Sequence, residues 1–153
     1  MLIQKNDKDF LTVGLAQIAP VWLNKIKTLE KICAAISEAA SQDCQLVVFG
    51  EALLPGYPFW IERTNGAEFN SLVQKTLHAH YLDQAVSPEH GDLDDICKLA
   101  KEHKISVYLG TIEKAVNRGG HSLYCSMIYI NQCGEIKSVH RKLMPTYEER
   151  LTW

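Results

Sequence analysis

The acid at position 51 follows directly on a run of strand-forming residues. Gln45-Leu46-Val47-Val48-Phe49 ends at Gly50 and Glu51 comes next. Ala52-Leu53-Leu54-Pro55-Gly56-Tyr57-Pro58-Phe59-Trp60 then continues as a loop stiffened by prolines and opened by a glycine. A strand that delivers one carboxylate to its C-terminal end, under an aromatic-bearing loop, is a common way to build an α/β catalytic site. The alternative is a solvated glutamate that merely ends a strand, and this segment alone favours that plainer reading. Tyr57 and Trp60 are candidate substrate-lining residues, with packing as their competing role. A second polar group stands far along the chain, where Arg141-Lys142-Leu143-Met144-Pro145-Thr146-Tyr147-Glu148-Glu149-Arg150 places a lysine at a strand end, then a proline bend and an acidic pair. By itself this group too is unremarkable if solvated.

The remaining chemistry-bearing residues point elsewhere. His78 and His80 lie two apart in a predicted helix, face different directions and cannot easily share a metal. Asp92, Asp94 and Asp95 are explained by capping a helix and meeting the positive end of its dipole, with Asp92 as the cap. Cysteines 33, 44, 97, 125 and 133 form an odd set without CxxC spacing. Reduced thiols are expected, neither a disulfide framework nor a zinc site. Cys33 and Cys97 fall on core-facing helix stripes, and a small buried thiol is the favoured account of Cys125.

The elements that must position these groups read as α/β. The near-continuous apolar run 11–18 suits a strand buried on both faces. A helix is expected from the N-cap Asn24 to Ser41, with Ile26, Leu29, Ile32, Cys33, Ile36 and Ala40 as its inner stripe. The strand at 45–49 then follows, so strand–helix–strand implies a parallel crossover. Helices are expected at 67–83 and 92–103, with Leu93, Ile96, Cys97 and Ala100 inward in the second. Strands are expected at 105–112, 122–130 and 135–141. A turn at 117–120 is too short for another crossover helix, and the turn Asn131-Gln132-Cys133-Gly134 makes the last two strands an antiparallel hairpin.

Composition sets outer limits. A chain of 153 residues suits one domain and buries about 68–70% of its unfolded surface. A hydrophobic share of 46% with 22% charged residues is that of a globular protein. The net charge of −2 gives no electrostatic reason to expect nucleic acid or an anionic membrane as partner. No apolar run approaches the roughly 20 residues that span a bilayer. The polar start, a flexible N-terminus over residues 1–10, lacks the apolar core of a signal peptide, so a cytoplasmic location is expected.

Three segments in order resemble the nitrilases of the carbon–nitrogen hydrolase superfamily. Val13-Gly14-Leu15-Ala16-Gln17 resembles that family's opening strand, Phe49–Pro58 its catalytic-glutamate motif, and Arg141–Arg150 its catalytic-lysine motif. The resemblance covers nearly the whole chain from residue 11. It implies half of a four-layer α-β-β-α sandwich, a partial domain over 11–153, and a Glu–Lys–Cys triad needing no metal or organic cofactor. Mapped by motif, it makes Glu51 the general base and Lys142 the cation at the scissile group. Glu149 becomes a supporting glutamate, with Glu148 open as the alternative. The implied reaction is hydrolysis of a small-molecule nitrile to carboxylic acid and ammonia. Amide or carbamoyl hydrolysis within the superfamily, or a non-catalytic fragment acting by association, are the alternatives.

One expected part is missing. In the family the nucleophilic cysteine follows the lysine motif on a later strand, in a Cys-Trp-Glu context that none of the five cysteines here shares. The chain is therefore expected to be inactive alone. Its partners are expected to be like subunits in a homo-oligomer or a complementary C-terminal half, because half a sandwich leaves sheet edges and apolar surface uncovered.

Overall fold

A computed structural model describes residues 10–117 and 119–153. The expected flexible terminus, apart from Phe10, and Arg118 of the expected turn lie outside those residues. In chain order the elements are β1 (Val13–Ala16), α1 (Lys25–Ser41), β2 (Leu46–Phe49), α2 (Trp60–Arg63), α3 (Leu72–Gln84), α4 (Asp94–His103), β3 (Ser106–Glu113), β4 (Tyr124–Ile130) and β5 (Ile136–Arg141). Short 3-10 turns occupy Pro88–His90 and Glu148–Leu151.

The strands form one sheet in the order β1-β2-β3-β4-β5. The first three run parallel and the last two pair antiparallel. The hairpin between β4 and β5 turns where sequence chemistry dictates. Asn131 Oδ1 accepts from the backbone of Cys133 and Glu135 at 2.9 Å each, and Gly134 takes the left-handed φ of 76°.

Alternation along the strands divides the sheet into two faces. Val47, Phe49, Val107, Leu109, Ile128 and Ile130 point to one side and pack with Ile32 and Ile36 of α1 and Ile96 and Ala100 of α4. This is the main core, and the two helices lie against each other across it. The other face carries Leu15, Val48, Tyr108, Tyr129 and Met127, and Leu15 is 80% exposed. β1 is thus covered on one face only, where its apolar run suggested two. A smaller core of Ala52, Trp60, Ile61, Tyr81, Ile112 and Cys125 closes the end of the sheet where Glu51 emerges.

Four local expectations are corrected. Ile26 is 69% exposed. The first turn of α1 instead faces inward through Thr28, whose hydroxyl accepts from Val21 N and donates to Val21 O at 3.1 Å each. Two residues apart on a helix means about 200° of rotation, which carries Ile26 outward. Asp92 caps nothing: α4 begins at Asp94, and Asp92 Oδ2 accepts from Lys25 Nζ and Ser87 N at 2.8 Å each. A charge-assisted partner from a distant helix outcompetes the local backbone amides. α3 begins at Leu72 because Asn70, in the left-handed region at φ 59°, stops any helix from 67. The loop after Glu51 contains a four-residue helix, α2, too short to announce itself by periodicity.

Candidate active site

Glu51 and Lys142, 91 residues apart in sequence, meet at the end of the sheet: Lys142 Nζ donates to Glu51 Oε1 at 2.9 Å. The same ammonium donates to Glu149 Oε1, also at 2.9 Å. Of the two acids left open by the motif, Glu149 is the one that turns inward. Its other oxygen accepts from Thr146 N at 2.6 Å, an arrangement made possible by the 3-10 turn after Pro145.

The three groups differ sharply in solvation. The side chain of Glu149 is 3% exposed, that of Lys142 is 25%, and that of Glu51 is 53%. Burial alone would lower the lysine's pKa, but its hydrogen bonds to Glu51 and Glu149 outweigh burial and raise it. Burial alone would raise Glu149, yet the Thr146 amide and the Lys142 ammonium hold it below the usual carboxylate range. The site is therefore a fixed cation between two carboxylates, one sequestered and one facing solvent.

Each position follows from local structure. Lys142 N donates to Cys125 O at 2.8 Å, so β5 pairing continues one residue further and sets the lysine's direction. Arg141, one residue earlier, points to the helical face. There its guanidinium binds both oxygens of Glu113, at 2.7 and 2.9 Å, and lies 4.1 Å from the centre of the Tyr124 ring. Ser126 also donates to Glu113, at 2.6 Å. This buried network was invisible in the sequence, where Glu113 and Arg141 are ordinary strand-end charges.

A cavity of about 600 Å³ opens beside the ion triplet, lined by Glu51, Gly110, Cys125, Met127, Lys142 and Met144. Cys125 is buried as expected, but it faces this cavity. Burial, reinforced by the charge of Glu51, pushes its thiol up to about 12, so it is protonated at neutral pH. Tyr57 and Trp60 are not among the residues lining this cavity. Trp60 is 4% exposed in the smaller core, 4.8 Å from Tyr81 between ring centres. Tyr57 packs on the edge of that core, 5.0 Å from Phe59 and 6.0 Å from Trp153. His80 contacts Leu23 O at 3.1 Å. Among the described residues no three potential ligands gather as a metal site, and no helix is long and apolar enough to cross a membrane.

Residues 12–153 match the family model described as carbon–nitrogen hydrolase, and the chain belongs to that family. Among curated proteins it is 35% identical over 144 residues to Nitrilase 2 from an unknown prokaryotic organism, covering 94% of this chain and 44% of the relative. It is 36% identical over 138 residues to an arylacetonitrilase of Aspergillus oryzae, covering 90% of this chain and 38% of that one. The chain thus spans less than half the length of these relatives. Among solved structures, an amidase from Nesterenkonia sp. superposes with a TM-score of 0.66 at 17% identity, covering 94% of this chain and 47% of the amidase. A carbon–nitrogen hydrolase from Helicobacter pylori G27 gives 0.64 at 19%, covering 94% and 44%. The sheet and its helices are accordingly about half of the fold those chains build.

Proposed function

We propose that this chain carries the base, the cation and the supporting acid of a nitrilase, and that the nucleophilic thiol comes from outside residues 1–153. The observation that supports the reading most is Lys142 Nζ held 2.9 Å from both Glu51 and Glu149. A nitrile carbon is a weak electrophile. It needs thiolate attack and stabilisation of the nitrogen as charge builds there. Glu51, the solvent-facing acid, takes the thiol proton and later deprotonates the hydrolytic water. Lys142 stabilises the nitrogen. Glu149 keeps the lysine charged and aimed, since unit charges about 4 Å apart interact by roughly 4 kcal/mol at an effective dielectric of 20. Attack gives a thioimidate, water replaces nitrogen as ammonia, and a second water cleaves the thioester to the acid.

Cys125 is a poor nucleophile in this scheme because burial, reinforced by the Glu51 charge, keeps its thiol protonated. Tyr57 and Trp60 act on the substrate only indirectly in this reading, by packing the smaller core beside the site. The named nitrilases among the relatives favour nitrile over amide, although a neighbour of the same fold is called an amidase. The open sheet face, with Leu15 and Tyr108 exposed, favours work in association with a complementary half or with like subunits in the cytoplasm.

The test is ammonia release from an arylacetonitrile and from the matching amide. The purified chain alone gives none, mixing with a separately expressed C-terminal half of a nitrilase restores it, and Glu51→Gln in the mixture abolishes it. Hydrolysis by the chain alone that survives Glu51→Gln but disappears on replacing one of its own cysteines would refute the assignment.

A further inference from the structure

Among the described residues the solvent-facing acid has no side-chain anchor apart from Lys142, yet its backbone is closely held. The turn Gly50–Leu54 lies flat against β3. Leu54 N donates to Gly110 O at 3.3 Å, Ile112 N donates to Leu54 O at 2.8 Å, and Leu54 pairs in parallel with Thr111. This contact is possible because position 110 has no side chain. A Cβ there would sit 2.7 Å from Glu51 Cα and 2.9 Å from Gly50 C, and would run into Gly50 O. Those neighbours are backbone atoms, which cannot swing aside as a flexible side chain can. Ala52, fully buried, completes the turn in the left-handed region at φ 53°, a conformation strained for alanine that persists only where its surroundings enforce it.

We infer that Gly110 is a positioning residue, the seat on β3 that sets Glu51 within hydrogen-bond reach of Lys142. The inference rests on the reading of Glu51 and Lys142 as catalytic partners, but its geometry belongs to this chain alone. Any side chain at 110 lifts the turn off the strand and carries the carboxylate away from the ammonium, while Glu149, anchored on Thr146, stays in place. Gly50 is the natural control: a Cβ there meets nothing within 4 Å.

The experiment is competitive acetylation of the lysines at trace reagent, mapped by mass spectrometry. It reads how well Lys142 is held and needs no turnover. In Gly110→Ala, Lys142 labels about threefold to fivefold faster than in the wild type, the size expected for losing one hydrogen bond to a half-exposed carboxylate. Gly50→Ala leaves the rate unchanged. In a Glu51→Gln background, Gly110→Ala adds no further increase, because the glycine acts through that carboxylate. Wild-type labelling in a folded Gly110→Ala chain, or a full increase in the Glu51→Gln background, overturns the inference. If Gly110→Ala does not fold, amide exchange of the wild type decides: Leu54 and Ile112 exchanging with the sheet supports the seat, and loop-like exchange of either refutes it. A failed ammonia assay leaves these outcomes untouched, and unchanged labelling leaves the catalytic reading standing with some other support for Glu51.

Discussion

Arg141 and Lys142 are neighbours in sequence whose side chains serve opposite faces of one sheet. Arg141 is clamped by Glu113 on the face that the helices cover further along, and Lys142 stands between Glu51 and Glu149 on the other face. Strand alternation makes this unavoidable, and it lets one strand end fix two unlike charge clusters.

The two carboxylates on Lys142 differ in what they contribute to stability. Lys142→Met strands Glu149, whose side chain is 3% exposed, without its cation. Leaving one member of a buried pair alone costs about 3–5 kcal/mol, reduced here to roughly 2–3 because the lysine is partly solvated. Glu51→Gln removes only a half-exposed partner and costs about 1 kcal/mol or less. Urea unfolding should rank the variants in that order, and adding Glu149→Gln to Lys142→Met should recover part of the loss.

On the helical face, Arg141→Lys keeps the charge but loses the two-pronged contact with Glu113 and the stacking on Tyr124. A loss of about 1–2 kcal/mol is expected. Arg141→Met leaves Glu113, 2% exposed, without its cation and with only the Ser126 bond, and should cost about 2–3 kcal/mol once the partial solvation of Arg141 is allowed for. Thermal unfolding of both variants checks the difference.

Acid should destabilise the fold through these same carboxylates. Burial pushes Glu113 upward, but its bonds from Arg141 and Ser126 prevail and hold it low. Glu149 is held low as well. A depressed folded-state pKa contributes stability above the unfolded value of about 4.3, which is lost as pH falls through the folded value. The contribution of these two carboxylates to the unfolding free energy should therefore be flat from pH 7 to about 5 and fall below that. The slope should be shallower in Glu113→Gln.

Thiol chemistry offers a further check. Cys133 is exposed in the hairpin turn, and Cys125 is buried with its thiol pushed up to about 12. At pH 8 an aromatic disulfide reagent should consume one thiol quickly, and Cys133→Ser should abolish that phase. Cys125 should react only on unfolding.

Much of this architecture was legible because its causes are local. A strand-forming run stopping at Gly50, a capped amphipathic helix from Asn24 and an Asn–Gly turn at 131–134 all declare themselves within a dozen residues. The pairing of Glu51 with Lys142 came from motif resemblance, since nothing local relates residues 91 positions apart. What escaped was set by tertiary contact. Asp92 went to Lys25 in place of its own helix end, Ile26 was turned outward by the demands of Thr28, and Cys125 faces the cavity at Glu51. The seat at Gly110 was unreadable for the same reason, because its meaning lies in another segment's backbone.

The coordination of Lys142 also sets a stoichiometry. An alkylammonium has three N–H donors in tetrahedral array. Two are committed to carboxylates 2.9 Å away, in directions fixed by the Glu51 turn and by the Thr146-anchored Glu149. Among the described residues a single donor remains uncommitted, and it can serve one acceptor atom at a time. An acceptor that offers one lone pair along its axis asks for one such donor, so a ligand atom of that kind would meet the lysine one to one.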